Sequence, residues 1–273
     1  MSNIYITDLD HTFLRNDQTI SDFSIDIWNN KAKYNILSVA TARSFQKTTQ
    51  FLKKIKLDAP MILLDGAMIV TPTKKLIDIK TINQEIANAI VQEGKKFNIY
   101  PFIITLNDIK TLDESFLFPT MLNSYQNGVL ENYRNDPRMK ECKNIEAQEH
   151  NLKLVYFGTF ETLTPLTQHL KKVFGKEIEY KLSPEKYSDG WFLTLLHKEG
   201  DKANALVKVL EYLKIDKKSL TVFGDSVNDI EMFKLAHTSV AVSNALDEVK
   251  AVASVILEKS NDEDGVAHYL RAN

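Results

Sequence analysis

Apolar and polar positions fall into short blocks in the first and last parts of the chain. Apolar runs at 4–7, 35–39 and 61–64 predict strands, and helical patterns near 21–33 and 44–56 lie between them. Ser21 with Ser24, followed by Phe23, Ile27 and Trp28, suits a helix start with a buried stripe. Later runs at 220–223, 239–242 and 254–257 predict further strands, separated by helices near 202–213, 228–235 and 245–251. Such alternation predicts right-handed βαβ crossovers, hence an α/β fold with a mostly parallel sheet covered on both faces.

The middle third reads differently. It predicts a helix near 84–97, a strand at 99–105, a polar and irregular stretch through 123–150, a strand at 152–157, a helix at 163–174 and a strand at 191–196. Pro101 pushes its strand toward a sheet edge. This pattern suits an α+β insert on an antiparallel sheet, with hinges expected near 80–84 and 190–200.

Candidate chemistry collects just past the strand-like runs, where parallel sheets place ligand sites. The run Ile4-Tyr5-Ile6-Thr7 ends in Asp8-Leu9-Asp10-His11-Thr12. Two carboxylates at a buried strand end repel and are penalised by desolvation, a cost that a bound cation would offset. Downstream, Leu220-Thr-Val-Phe-Gly224-Asp225-Ser226-Val-Asn228-Asp229 repeats the design. Thr41-Ala42-Arg43 follows another strand, and Lys202 opens a helical pattern.

These residues resemble the four motifs of the haloacid dehalogenase superfamily of phosphohydrolases, in order: Asp8-x-Asp10-x-Thr12, Thr41, Lys202 and Gly224-Asp225-x3-Asp229. Asp65-Gly66-Ala67, Ser243-Asn244-Ala245 with Glu248-Val-Lys250, and Asn261-x2-Asp264-Gly265 further resemble the Cof-type branch, which carries a large inserted cap. The resemblance covers roughly residues 4–82 and 192–270. It implies a Rossmann-like catalytic core from 1–82 and 192–273, with an inserted α+β cap at 83–191.

The resemblance also implies roles. Asp8 is the expected nucleophile, forming an aspartyl-phosphate, and Asp10 the acid and base that serves the leaving group and then the water. Thr41 and Lys202 are expected to hold the transferring phosphoryl group, with Leu9, Ala42, Arg43 and Asn228 completing the phosphate-binding set. The expected cofactor is Mg2+, held by Asp8, Asp10 through its main-chain carbonyl, Asp225 and Asp229. Magnesium suits an oxygen-rich site because it retains waters while using few protein carboxylates.

Three positions depart from the family pattern. His11 and Ala42 stand where Gly is usual, and His tolerates the left-handed backbone better than branched residues do. The alternative for His11 is an imidazole that reaches the leaving group. Asp65 replaces an Asn, exchanging an amide donor for a carboxylate, which would weaken phosphate binding or favour a cationic or hydroxyl-rich leaving group.

Composition narrows the partners. At 273 residues with 44% apolar content the chain can bury one large or two ordinary cores, and its net charge of −2 supplies no basic field for nucleic acid or an anionic membrane. No run approaches the ~20 apolar residues that span a bilayer, so a cytoplasmic enzyme is expected, of open oligomeric state. The single Cys142 and the scattered histidines form no metal-ligand spacing. Tyr187, Trp191 and Phe192 are candidates for sugar stacking, against the plainer expectation that they pack the insert's core. The expected reaction is hydrolysis of a small phosphorylated metabolite, a sugar phosphate by preference; a phosphomutase, a disaccharide-phosphate phosphatase and a metabolite-binding regulator are the alternatives.

Overall fold

The computed structural model of the chain describes residues 3–131, 133–185 and 190–273. These form two compact units, one from residues 3–79 with 201–273 and the other from 80–200. The first segment runs β1 (Ile4–Thr7), α1 (Asp22–Lys31), β2 (Ile36–Val39), α2 (Phe45–Phe51), β3 (Met61–Leu63), β4 (Met68–Val70) and β5 (Leu76–Ile79). The second unit follows: α3 (Gln84–Lys95), β6 (Phe102–Asp108), β7 (Asp113–Pro119), α4 (Ser124–Glu131), β8 (Met139–Cys142), β9 (His150–Gly158), α5 (Phe160–Phe174), β10 (Ile178–Glu185) and β11 (Gly190–His197). The chain then returns through α6 (Lys202–Leu213), β12 (Leu220–Gly224), α7 (Ile230–Leu235), β13 (Thr238–Ala241), α8 (Asp247–Lys250), β14 (Val255–Ile256) and α9 (Gly265–Ala272).

The first unit is built on a parallel sheet of order β14-β13-β12-β1-β2, so the α/β expectation holds. β1 is central, paired with β12 on one side and β2 on the other, and all four of its residues are buried. A parallel strand covered on both faces needs a continuous apolar run rather than an alternating one, and Ile4-Tyr5-Ile6-Thr7 provides it. The connecting helices start where side chains satisfy their free N–H groups. Ser21 accepts from the Ser24 N–H at 3.0 Å, and Asp201 accepts from Ala203 and Asn204 at the start of α6. Each such cap is worth about 1 kcal/mol.

The run at 61–64 has a second allegiance. A parallel bridge from Ala40 to Ile62 links β3 to the edge of the main sheet, but β3 also opens an antiparallel sheet with β4 and β5. β4 and β5 leave no recognisable pattern in the sequence because they are three and four residues long and joined by tight turns. The expected helices at 44–56 and 228–235 are shorter, at Phe45–Phe51 and Ile230–Leu235.

The second unit carries a six-stranded sheet of order β10-β11-β9-β6-β7-β8, antiparallel except for the β7–β8 pair. Ile90, Val91, Leu154, Leu163, Leu166, Leu170 and Leu193 form its main core with α3 and α5. The stretch expected to be irregular contains α4 and β8, while β7 and β10 were not foreseen at all. Their charged residues hide the strand pattern, since Glu114 is buried against Arg138 at 2.7 Å. The boundaries also differ from the expected 83–191. Residues 192–197 are strand β11, bonded to β9 and β10, so they belong to the insert and not to the core. Residues 190–197 are strand β11, and the chain crosses between units at 79/80 and 200/201.

Candidate active site

Asp8 is the first residue past β1, its N–H donating to the Phe223 carbonyl of β12 at 3.0 Å. That bond extends the parallel pairing by one step and aims the two acidic strand ends at one another. Asp8, Asp225 and Asp229 are all buried, with carboxylate oxygens within 4.8 Å of one another. Lys202, fully buried at the first turn of α6, inserts its ammonium between two of them: Nζ donates to Asp8 Oδ1 at 2.6 Å and to Asp229 Oδ1 at 2.8 Å. Asp229 Oδ2 accepts from the N–H groups of Asp225 and Ser226 at 3.0 and 3.1 Å. Both Asp229 oxygens are therefore engaged, which makes it the residue that shapes the Asp225 turn. Gly224 is required there, because a Cβ would lie 2.5 Å from the Asp229 carboxyl carbon.

The electrostatics follow from this crowding. Burial pushes the Asp8 carboxyl well above its ordinary range; Lys202 opposes the shift, while Asp229, Asp225 and Asp10 add to it. Burial alone would lower the Lys202 ammonium, but Asp229, Asp8 and Asp65 outweigh it and keep the lysine charged. Three buried carboxylates thus face one ammonium, an excess of negative charge in a confined space. An all-oxygen donor set with surplus anionic charge fits a hard divalent cation such as Mg2+.

Asp10 points elsewhere. Its carboxylate is clasped by Arg43, whose Nε donates to Oδ2 at 2.8 Å and whose terminal nitrogen bonds the other oxygen. The guanidinium also bonds Gln18 Oε1 at 3.2 Å and lies 4.3 Å above the Phe51 ring. The side chain expected to bind phosphate therefore holds Asp10. Thr41 is fully buried beyond β2, its hydroxyl accepting the Arg43 N–H at 3.2 Å, with Ala42 in the bend between them. Leu9 is buried, and its carbonyl accepts the Leu14 N–H at 2.8 Å, closing a wide turn over Leu9–Phe13. Within that turn His11 adopts φ 54°, the left-handed conformation expected of it, and its Nδ1 lies 3.0 Å from Asn16 Oδ1. Thr12 closes the circuit by donating to Asp225 Oδ1 at 2.8 Å.

Asp65 and Asn228 meet directly, the Asn228 amide donating to Asp65 Oδ1 at 3.0 Å. Asp65 is itself left-handed at φ 63°, and the next residue, Gly66, has φ 113°. A Cβ at Gly66 would sit 2.2 Å from the Asp201 carbonyl carbon, so only glycine lets this turn press against the peptide that leads into Lys202.

Asn244, Asn261 and Asp264, from the C-terminal signature, brace the Asp10 loop. Asn244 Nδ2 donates to the His11 carbonyl at 2.8 Å, Asn261 Nδ2 to the Leu14 carbonyl at 3.0 Å, and Asp264 binds Arg15 at 2.7 Å and the hydroxyls of Ser21 and Ser24. Burial pushes Asp264 up, but the bonds from Arg15, Ser21 and Ser24 outweigh it and hold its carboxyl below the usual carboxylate range. Of the aromatic candidates, Trp191 packs on Phe160 with ring centres 4.7 Å apart and Phe192 meets Phe157 edge-on at 5.0 Å, both within the second unit. Tyr187 lies outside the described residues. Among the described residues no helix is long and apolar enough to cross a membrane.

The family model for haloacid dehalogenase-like hydrolases matches residues 5–270. The chain is similar to two Bacillus subtilis proteins named 5-amino-6-(5-phospho-D-ribitylamino)uracil phosphatase: YitU, 23% identical over 97% of this chain and 94% of its own length, and YwtE, 26% identical over 96% and 95%. A haloacid dehalogenase-like hydrolase from Bacteroides thetaiotaomicron shares the fold at a TM-score of 0.80 and 21% identity, covering 100% of this chain and 99% of its own.

Proposed function

The chain belongs to the haloacid dehalogenase-like hydrolase family, and from that premise we propose that it is a magnesium-dependent cytoplasmic phosphatase of a small phosphorylated sugar or polyol, working through an aspartyl-phosphate. The observation that carries this reading is Asp8 at the end of β1, buried against the Lys202 ammonium at 2.6 Å with Asp225 close by.

In the proposed reaction an Asp8 oxygen attacks phosphorus as the ester oxygen departs, and Asp10, which must first leave the Arg43 clasp and take up a proton, passes that proton to the leaving oxygen. Asp10, now ionised, removes a proton from water, which attacks phosphorus and releases Asp8 and inorganic phosphate. Lys202 neutralises the phosphoryl oxygens, with Thr41 and main-chain N–H groups past Asp8 supplementing it. The carboxylates of Asp8 and Asp225 and the main-chain carbonyl of Asp10 would hold Mg2+, which when bound supplies further charge neutralisation at the phosphoryl group. Asp229 supports that set by shaping the Asp225 turn and anchoring Lys202. The second unit supplies discrimination among leaving groups. The names of YitU and YwtE point to a phosphorylated ribityl chain as the first candidate to test.

A phosphate-release screen over sugar and polyol phosphates, including the ribitylaminouracil phosphate, tests this reading with Mg2+ present. Turnover is expected in the parent and loss of at least about 10⁴-fold in Asp8→Asn, the scale on which removal of a nucleophile acts. An active Asp8→Asn enzyme overturns the covalent mechanism, and absence of turnover on every member of the panel overturns the assignment to a sugar or polyol phosphate.

A further inference from the structure

We propose that Asn244 is a positioning residue for Asp10, and that the loop 243–246 is the brace that ties the two acidic loops of the site together. The proposal rests on the reading of Asp10 as the acid for the leaving group. Two bonds from this short loop reach the two loops separately. Asn244 Nδ2 donates to the His11 carbonyl at 2.8 Å, and the Leu246 N–H donates to the Asp225 carbonyl at 3.0 Å. The brace is itself anchored: Asn244 Oδ1 accepts the Asn261 N–H at 2.9 Å, and the Ser243 N–H donates to the Lys259 carbonyl at 3.2 Å.

The His11 carbonyl is the place where such a bond has leverage. Asp10 has φ −66° and ψ 128°, and His11 then turns to φ 54°, so the direction of the Asp10 side chain depends on the next residue keeping a left-handed conformation. A non-glycine residue does not hold that conformation without outside support. Asn244 supplies the support from the main-chain side, while Arg43 holds the carboxylate at its far end. Asn244 thus fixes Asp10 from the main chain, a support that persists when the carboxylate leaves Arg43, and the Asn261 side chain steadies the same turn further on through the Leu14 carbonyl and Asn16.

The amide of Asn244 donates at one end and accepts at the other. Asp at this position would still accept the Asn261 N–H but would turn an acceptor toward the His11 carbonyl. Asn244→Asp therefore removes one bond and keeps the other, whereas Asn244→Ala removes both. The two variants separate support of Asp10 from support of the Asn261 segment.

The test measures kcat and KM for the full chain with Mg2+ over aryl and alkyl phosphates whose leaving groups span a wide range of basicity. Asp10→Asn serves as reference, and thermal midpoints check folding. Weakly basic leaving groups depart without a proton, so loss of a positioned acid makes kcat fall more steeply as leaving-group basicity rises. Asn244→Asp and Asn244→Ala are expected to steepen the series as Asp10→Asn does, losing about tenfold on nitrophenyl phosphate and about a hundredfold on alkyl phosphates. KM is expected to stay within about twofold. Asn244→Ser, which retains a donor, keeps the test decisive if the alanine variant does not fold. A steep Asp10→Asn series beside Asn244 variants that slow every substrate equally would overturn the Asn244 proposal alone. A flat Asp10→Asn series would overturn the acid role of Asp10 and the proposal with it.

Discussion

The ammonium of Lys202 lies 2.6 Å from Asp8 Oδ1 although 194 residues separate them in sequence. Lys202 is fully withdrawn from water and Asp8 nearly so, and the same ammonium binds Asp229 at 2.8 Å. Lys202 is thus the counter-ion of two of the three buried carboxylates that cluster here among the described residues.

Lys202→Met should leave Asp8 and Asp229 buried without their partner. Breaking a buried ion pair from one side costs about 3–5 kcal/mol, so urea midpoints measured with a chelator present should fall accordingly. Added Mg2+ should recover part of the loss, because a cation that binds only the folded state stabilises it by mass action. A variant as stable as the parent in chelator would contradict the charge balance drawn here.

Asp225→Ala removes one anionic oxygen donor from the cluster and the acceptor of the Thr12 hydroxyl. The Mg2+ concentration for half-maximal turnover should rise at least about tenfold, as expected for a lost ligand or its support. Titration of activity against free Mg2+ reads this directly, and thorough chelation should silence the parent enzyme. Unchanged metal dependence in the variant would remove Asp225 from the ligand set.

Asp65→Asn exchanges a carboxylate for an amide beside Asn228, at a position whose charge is felt by Lys202. Removing that negative charge should tighten binding of phosphate esters and of inorganic phosphate about fivefold, on the order of 1 kcal/mol. Product inhibition by inorganic phosphate is the cleanest readout. If the inhibition constant does not move, the carboxylate at 65 has no influence on the anion.

Asp264→Asn tests the brace through pH. The carboxyl of Asp264 is held below its ordinary value in the folded chain, so it contributes stability that is fully present above the ordinary, unfolded-state value and disappears as pH falls through the lower, folded-state one. At pH 7 the variant should be about 1 kcal/mol less stable than the parent. The gap should close as pH drops below about 4, where the carboxylate of the unfolded chain protonates. Urea midpoints at a series of pH values measure both, and a gap independent of pH would mean that packing and not charge is lost.

Much of this site was legible because its parts are local in sequence. Asp8 and Asp225 each follow an apolar run by one residue, and the parallel sheet does the rest by setting β1 beside β12. The clasp of Asp10 by Arg43 was not legible: the two are joined only by the turns after β1 and β2, and Arg43 has the composition of a phosphate ligand. Asn244 and Asn261 were visible as a pattern without a role, because the role consists of bonds to the main chain of residues 11 and 14, which carry no side-chain signal. In the second unit β7 and β10 escaped notice because buried charged residues such as Glu114, paired with Arg138, interrupt the alternation that marks a strand.

The order of strands in the first unit has a consequence for synthesis. β1 is made first, yet one of its two neighbours is β12, which begins at Leu220. Until that segment leaves the ribosome, the strand that leads into Asp8 can pair only with β2 and keeps one edge open. The second unit, contiguous from 80 to 200, has all of its strands in hand well before then and can mature in the interval. At about 5–20 residues per second the delay lasts on the order of ten seconds or more. The nascent sheet spends that time with the β12-facing N–H and C=O groups of β1 unpaired, so holdase chaperones should meet this chain through β1, and slower elongation through the inserted stretch should lower the yield of active enzyme more than its final stability would suggest.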